Sequence, residues 1–172
     1  MLKFFRRWRI IALALSFIWG VTVAVAKKPL ELPVHPIPLE IQTEQGTISY
    51  KVEIAFTPSQ AKAGLMYRTD FPRDRAMLFR NHRSNELKDK QKFFMWMANT
   101  PLPLDMIFVN SEGIIVSIVE RTSPFSTEAI SSEVPATFAL EVNAGEVAEK
   151  KIKKGQRVIH PALCGECKGN EK

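Results

Sequence analysis

The chain has 172 residues, with 24 Lys or Arg against 18 Asp or Glu, a formal net charge of +6. Four of the basic residues and no acidic one lie in residues 1–26, which leaves 20 basic against 18 acidic residues in the rest. The remaining net charge of +2 removes the main electrostatic argument for nucleic-acid binding, so we predict no nucleic-acid partner. Residues 27–172 suit one domain with its own apolar core.

Residues 1–26 have the three parts of a secretory signal peptide. A basic start, MLKFFRRWR, precedes an apolar run, and the run ends in the small-residue sequence Ala24-Val25-Ala26. We therefore predict cleavage after Ala26 and export to the periplasm. The alternative is an uncleaved segment that anchors the protein to the inner membrane, because the apolar run approaches the roughly 17–25 residues of a span. We predict no other membrane contact.

The next segments predict an extended lead-in, a hairpin and a short helix. Residues 27–38 contain four prolines and favour an extended chain. Residues 39–160 then form the predicted domain, which begins with two runs of period-two alternation around the turn signal Gln45-Gly46. A capping box of Thr57 and Gln60 predicts a helix over residues 58–66.

The rest of the domain predicts mostly strands. Residues 80–92 and 123–135 are interpreted as loops, and Asn143 with Glu146 predicts a second capped helix that ends at Gly155. The predicted strands fall at 76–79, 93–98, 104–109, 114–120, 136–142 and within 156–161. The connections are too short for repeated βαβ units, so we predict a mainly β (α+β) domain. Its sheet would be a small antiparallel barrel with two short helices.

One carboxylate, Asp105, lies within an apolar strand, where an acidic side chain is unusual. Both faces of residues 104–109 are largely apolar, so the acid should be buried and should need donors. One interpretation is structural, with Asp105 bound to the backbone of the preceding elbow, defined here as residues 98–103. The functional interpretation is a small polar pocket. Its predicted ligand-binding residues are Arg68, Trp96, Asn99, Thr100, Asp105 and Glu141.

Five short motifs stand in order along the chain. They are GLMxR at 64–68, MLF at 77–79, WMxNT at 96–100, LDxxF at 104–108 and LExxAG at 140–145. In this combination the chain resembles the family of domain of unknown function 192, DUF192, over about residues 40–160. Ala76 and Ala98 stand where that family usually has Gly and Lys, so the elbow lacks a cation. The resemblance implies a compact, mostly β, barrel-like and often exported domain with no established activity.

Two alternatives to a binding domain stay open at this point. Asp105 and Glu141 have the residue types of an acid/base pair, which would make the protein a hydrolase. The sequence contains no recognisable Ser–His–Asp catalytic triad, and we assign no catalytic residue.

A soft-metal protein is the second alternative, binding copper through methionines or zinc through the tail of residues 161–172. Five of the six methionines, at positions 66, 77, 95, 97 and 106, fall close together in sequence. His160, Cys164 and Cys167 have close spacing, with His82 or His35 as a fourth ligand. A local disulfide or a disordered tail explains the two cysteines equally simply, so we predict neither a metal nor a cofactor.

The sequence therefore predicts an exported binding or accessory domain of the cell envelope. Its candidate pocket surrounds Trp96, Asn99 and Asp105. The predicted partner is a small polar ligand or another envelope protein.

Overall fold

The computed structural model describes residues 27–81 and 91–163. The predicted signal peptide, His82 and the two cysteines therefore lie outside the described residues. Within the described ranges, no helix is both long enough and apolar enough to cross a membrane. The elements there are β1 (Leu39–Thr43), β2 (Gly46–Ala55), α1 (Pro58–Ala63), β3 (Arg75–Arg80), β4 (Lys92–Met95), β5 (Leu104–Val109), β6 (Ile115–Val119), β7 (Ile130–Pro135), β8 (Phe138–Asn143), α2 (Glu146–Glu149) and β9 (Arg157–Ile159).

Seven of these strands form one sheet that curls into a nearly closed barrel, which confirms the predicted mainly β, barrel-like class. The strand order is β6-β5-β8-β3-β2-β1-β9, and β4 pairs separately with β7. A bridge between Ile114 and Arg157 links the two outer strands. The barrel is mixed rather than wholly antiparallel, because β2 and β3 pair in parallel. The connection between these two strands carries α1, which gives it the length that a parallel crossover needs.

The two faces of the sheet bury two separate apolar clusters. The inner cluster fills the barrel and includes Leu78, Ile107 and Leu140. The outer cluster packs β4 and neighbouring segments on β3, β5 and β8, and it includes Met77 and Met106. Side chains alternate between the faces of a strand, which is why one strand supplies residues to both clusters. β5 is buried along its whole length, as predicted.

β4 and β7 differ from the sequence prediction. β4 ends at Met95 instead of extending to residue 98, and the aromatic side chains at positions 94 and 96 are exposed rather than covered. Residues 130–135, predicted as part of a loop, form β7 and pair with β4. Their sequence, ISSEVP, has no sustained alternation, so the pattern carries no strand signal.

The first helix matches its predicted start, and the second does not. Thr57 and Gln60 form the predicted capping box of α1, although the helix already ends at Ala63. Asn143 does not cap α2, because it ends β8 and donates its Nδ2 to the Phe71 carbonyl oxygen at 2.8 Å. α2 ends at Glu149, well before Gly155, so the prediction of a longer capped helix was wrong.

Closure of the barrel depends on a close approach at Gly113. Its φ of +81° lies in the left-handed region, and a Cβ atom there would meet the Val158 carbonyl oxygen at 2.8 Å. The Val158 N–H also donates to the Gly113 carbonyl oxygen at 2.7 Å, which joins the two ends of the sheet. The glycine at this turn therefore permits a backbone contact that any side chain would obstruct.

Gly113→Ala should lower the free energy of unfolding by about 2–4 kcal/mol, because it combines backbone strain with a clash at the closure. Gly155→Ala is the matched control, since Gly155 has a φ of +88° but would place its Cβ atom in open space, more than 4 Å from any described neighbour. Urea unfolding of both variants measures the difference. Equal losses for the two glycines would contradict the role of the contact with Val158.

Candidate functional site

Asp105 lies on the inner face of the barrel and is fully buried. Its Oδ1 accepts a hydrogen bond from the Arg121 N–H at 2.8 Å, and its Oδ2 accepts from the N–H groups of Gly145 at 2.8 Å and Val147 at 3.0 Å. All three donors are backbone groups, at the end of β6 and the start of α2. Asp105 thus holds the chain after β6 and the start of α2 together at one end of the barrel. The structural interpretation of the sequence had placed its donors in the elbow instead.

Arg68 is engaged away from the elbow. Its guanidinium forms a bidentate ion pair with Glu53 at 2.9 and 2.5 Å, and its Nε donates to the Leu30 carbonyl oxygen at 2.8 Å. These contacts hold the lead-in of residues 27–38 against β2, and Val34 forms a bridge with Glu53 beside them. The arginine is a structural anchor here, and the structure does not bring it to the other predicted site residues.

Glu141 lies on the opposite face of the sheet from Asp105. Glu141 stands in register with Met77 and Met106, which belong to the outer cluster, whereas Asp105 stands opposite Val142 of the inner cluster. Strand alternation therefore sends the two carboxylates to different sides. They do not form the acid/base pair of the hydrolase hypothesis, which was wrong on this point.

Three of the predicted residues, Trp96, Thr100 and Glu141, do meet around one small cavity. Its volume is about 20 Å³, which is room for about one water-sized group. The other wall residues come from α1, the turn after it and β3: Ala61, Lys62, Ala63, Gly64, Leu65, Met66 and Phe79. We call this space the Glu141 cavity. Because Trp96 is 46% exposed and Lys62 is exposed, the cavity lies beside the protein surface.

Glu141 is a buried acid, and one of its carboxyl oxygens has no partner among the described residues. The side chain is 4% exposed, and its buried Oε2 has no hydrogen-bond partner among the described residues. Burial raises the pKa of this carboxyl from 4.5 to about 8, because the charged form loses its hydration and gains no compensating donor. Glu141 is therefore largely protonated at neutral pH in the ligand-free protein.

The other buried acids have partners, which makes Glu141 stand out. Asp105 accepts three backbone hydrogen bonds, Glu53 pairs with Arg68, and Glu146 pairs with Lys150. Buried polar groups in folded proteins are nearly always satisfied, so an unsatisfied carboxyl beside a cavity calls for an explanation. Unpaired ionisable groups with shifted pKa values are concentrated at functional sites.

The elbow places Thr100 in the wall of the cavity and Asn99 next to the wall residue Met66. Asn99 has a φ of +56°, and its carbonyl oxygen accepts from the Tyr67 N–H at 2.7 Å. Its exposed Nδ2 lies 3.9 Å from the Sδ atom of Met66, a wall residue of the cavity. Thr100 is buried and donates its hydroxyl to the Ala98 carbonyl oxygen at 3.3 Å. Asn99 therefore lies at the rim and Thr100 in the wall.

Residues 40–160 match the family model of DUF192, described as an uncharacterized ACR. The chain belongs to the DUF192 family. The match covers the barrel and both faces of its sheet, and it includes all five motifs that carried the resemblance. No curated protein matches the chain.

Solved structures of similar proteins agree with the DUF192 fold. One is a crystal structure from Sinorhizobium meliloti 1021 that is named a "putative transcription regulator". It is 37% identical with a TM-score of 0.67, over 75% of this chain and 96% of that chain. Another, a protein of unknown function from Novosphingobium aromaticivorans DSM 12444, is 28% identical with a TM-score of 0.67. It covers 78% of this chain and 94% of its own.

The described histidines and most of the described methionines of this DUF192 chain lie in separate parts of the fold. His160 is buried, and its Nε2 lies 3.1 Å from both the Nδ1 of His35 and the Ile37 carbonyl oxygen. Burial lowers the pKa of His160, and its Nδ1 accepts from the Ala162 N–H. In residues 27–81 and 91–163, no group of three or more His, Cys, Asp or Glu could hold a metal ion. Met77, Met97 and Met106 lie within the apolar outer cluster.

The wall of the cavity that α1 supplies was not predicted. Lys62 and the residues that follow the helix form this wall, but in the sequence they carry only the signals of a short helix and a motif of the DUF192 family. The prediction also gave the central role to Asp105 rather than to Glu141. Both acids occupy apolar strands, and only the hydrogen bonds of the folded protein tell them apart.

Proposed function

We propose that this DUF192 protein is an exported, periplasmic binding domain that receives a small polar group in the Glu141 cavity. The observation that carries the proposal is the buried carboxyl of Glu141, whose Oε2 has no partner in the described part of the chain, beside the half-exposed ring of Trp96. A ligand group that enters the cavity would give the carboxyl the partner that it lacks. The partner is a free small molecule or an envelope protein that presents such a group.

Export is supported by the sequence of residues 1–26, with its basic start, apolar run and small-residue exit. The uncleaved form of the same segment would keep the domain at the inner membrane and would leave the cavity unchanged. A role in transcription, which the name of the Sinorhizobium protein suggests, is less well supported for this chain. Its net charge outside residues 1–26 is only +2, and DNA-binding domains typically carry a strong basic face.

Binding is better supported than catalysis because the described wall of the cavity contains one carboxyl group and no second acid or histidine. Among the described residues, Glu141 is the single carboxylate in its wall, and the only other ionisable wall residue is Lys62. Hydrolytic sites usually combine an acid or base with a nucleophile, a second carboxylate or a metal. A lone protonated carboxyl in a water-sized space is suited to holding a group in place.

Trp96 offers a direct readout of this function. The chain has three tryptophans, and the other two, Trp8 and Trp19, lie in the predicted signal peptide. In the cleaved protein, Trp96 is therefore the only source of tryptophan fluorescence. A thermal-shift screen of small amines, sugars, nucleotides and metal ions should identify ligands that also change this fluorescence.

Trp96→Ala should weaken binding of a ligand found in this way at least tenfold while lowering the melting temperature by less than about 4 °C, because the ring is half exposed. Isothermal titration calorimetry and thermal unfolding measure the two effects. Phe94→Ala is the matched control, since it removes an exposed aromatic side chain two residues away and should leave affinity intact. If Trp96→Ala unfolds the protein or leaves affinity unchanged, the proposed function is wrong.

A further inference from the structure

We infer that the group bound in the Glu141 cavity is a primary ammonium, R–NH₃⁺, whose alkyl chain leaves the cavity past Trp96. The inference rests on the proposed function and names the ligand class of the same site. It follows from three properties of the cavity: its size, the hydrogen-bonding character of its wall and the charges around it.

The size of the cavity favours the smallest polar groups. A volume of about 20 Å³ accommodates about one water-sized group. Carboxylate, phosphate and guanidinium groups each have at least three non-hydrogen atoms beyond their point of attachment and would not enter. A primary ammonium or a hydroxyl presents a single such atom at the end of an alkyl chain. Size therefore favours these two polar groups.

Once Glu141 is ionised, the wall of the cavity presents hydrogen-bond acceptors, whereas the protonated carboxyl can also donate. The Oε2 of Glu141 has no partner among the described residues, and the hydroxyl hydrogen of Thr100 is already directed to the Ala98 carbonyl oxygen. Thr100 can therefore contact a ligand only as an acceptor, and the thioether of Met66 is a weak acceptor as well. An ammonium carries three donors and no acceptor, whereas a hydroxyl carries one donor and two acceptor lone pairs. With Glu141 ionised, the wall thus complements an ammonium better than a hydroxyl.

The charges around the cavity also favour a cation. None of the described residues forms an ion pair with Glu141, so its ionised form would be buried without a bound counter-charge. A bound ammonium would supply that charge together with a hydrogen bond. The side chains of Trp96 and Phe79 form part of the wall and carry no positive charge that would repel a cation. The residues in register with Glu141, Met77 and Met106, carry no charge of their own.

Lys62 is the one charged group in the described wall that could compete for this position. It lies in the last turn of α1, lines the cavity and is exposed. Its own ammonium would satisfy the same chemistry from within the chain. The experiment must therefore separate an internal ammonium from an external one, and Lys62→Met makes that separation possible.

The test is titration of the cleaved protein with n-butylamine, followed through the fluorescence of Trp96 and by calorimetry. The ionised fraction of a carboxyl with a pKa near 8 rises from about a tenth at pH 7 to about nine tenths at pH 9. Alkylamines stay protonated over this range, as lysine does with its pKa of about 10.4. Butylamine should therefore bind about tenfold more tightly at pH 9 than at pH 7. Glu141→Gln should abolish this binding.

The matched probes share the butyl chain and differ in the polar group. We expect 1-butanol, butylguanidine and butyltrimethylammonium to bind at least tenfold more weakly than butylamine at pH 9. Glu44→Gln, which removes an exposed carboxylate at the far end of β1, should leave butylamine binding unchanged. Binding of butanol that equals that of butylamine, or affinity for butylamine that falls from pH 7 to pH 9, would overturn the inference.

The outcomes also distinguish this inference from the proposed function. If butanol binds and Glu141→Gln abolishes its binding, the cavity is a binding site and only the ammonium is wrong. If no probe of any class reaches the cavity, both proposals fail. If butylamine binds only to Lys62→Met, the wild-type carboxyl is already occupied by Lys62, which would overturn an external ammonium.

The source of the ammonium is addressed by two further ligands. Nα-acetyl-lysine methylamide represents the side chain of a partner protein, and cadaverine represents a free diamine. Tighter binding of the lysine derivative than of butylamine would assign the site to a protein partner. Tighter binding of cadaverine would assign it to a small amine. Failure of both to bind while butylamine binds would contradict an extended alkyl chain at Trp96.

Discussion

Asp105→Ala should lower the free energy of unfolding by about 3–5 kcal/mol, which corresponds to a fall in melting temperature of roughly 10 °C or more. The substitution removes the common acceptor of three backbone N–H groups, those of Arg121, Gly145 and Val147. A buried donor without an acceptor costs about 1–3 kcal/mol, and the lost bonds involve a charged acceptor. Urea and thermal unfolding of the purified protein measure the loss.

Two further variants serve as controls for the effect of Asp105→Ala on stability. Asp105→Asn keeps the shape but places an NH₂ group against backbone donors, so it should also destabilise, by about 2–3 kcal/mol. Asp70→Ala removes an exposed aspartate and should change stability by less than about 0.5 kcal/mol. If Asp105→Ala remains as stable as the wild type and loses only ligand binding, the structural role of Asp105 is refuted.

Glu141→Gln should have the opposite effect and stabilise the protein at alkaline pH. In the folded protein the carboxyl has a pKa of about 8, against 4.5 for the ordinary group. Between these values the folded state holds a proton that the unfolded state releases. The stability linked to this proton is complete below pH 4.5 and is lost as the pH rises to 8 and beyond.

The size of this pH effect is on the order of 3–5 kcal/mol between pH 5 and pH 9, from the difference between the two pKa values. Glutamine has nearly the same shape and no ionisation, so the variant should match the wild type near pH 5 and exceed its stability by about 4 kcal/mol near pH 9. Glu44→Gln, at an exposed position, should reproduce the wild-type curve. Parallel curves for Glu141→Gln and the wild type would contradict the raised pKa.

Much of the fold is predictable from local signals in the sequence. The period-two alternation places the β1–β2 hairpin, and the bounds of β5 are those predicted. The capping box of α1 follows from Thr57 and Gln60, which act within one turn. The predictions that fail concern elements whose structure depends on partners far away in the sequence. β7 has no pattern of its own because its pairing with β4 defines it.

The second helix shows why a local motif can mislead. Asn143 and Glu146 have the spacing of a capping box, but Asn143 completes β8 and binds the Phe71 carbonyl oxygen instead. The Val147 N–H at the start of α2 is bound by Asp105, which lies 42 residues earlier in the chain. A hydrogen bond between residues so far apart in sequence cannot be predicted from the local spacing of residue types.

The candidate site is only partly predictable, because its contacts also join residues that are distant in sequence. Residue type and motif single out Trp96, Thr100 and Glu141, and the structure brings these three together. They also single out Arg68 and Asp105, which have strong partners of their own elsewhere. Whether a buried polar group is satisfied depends on the donors that folding places around it. That information decides between a structural and a functional carboxylate, and only the folded chain contains it.

The most direct test of the central claim, that Glu141 is a buried carboxyl without a partner among the described residues, is a ¹³C NMR titration of its side-chain carboxyl in the ligand-free protein. The Glu141→Gln variant identifies the resonance by its disappearance. We predict a titration midpoint near pH 8, moving to lower pH when butylamine is added. A midpoint near 4.5 in the free protein would show that the carboxyl is solvated or paired, and the case for the cavity as a binding site would end there.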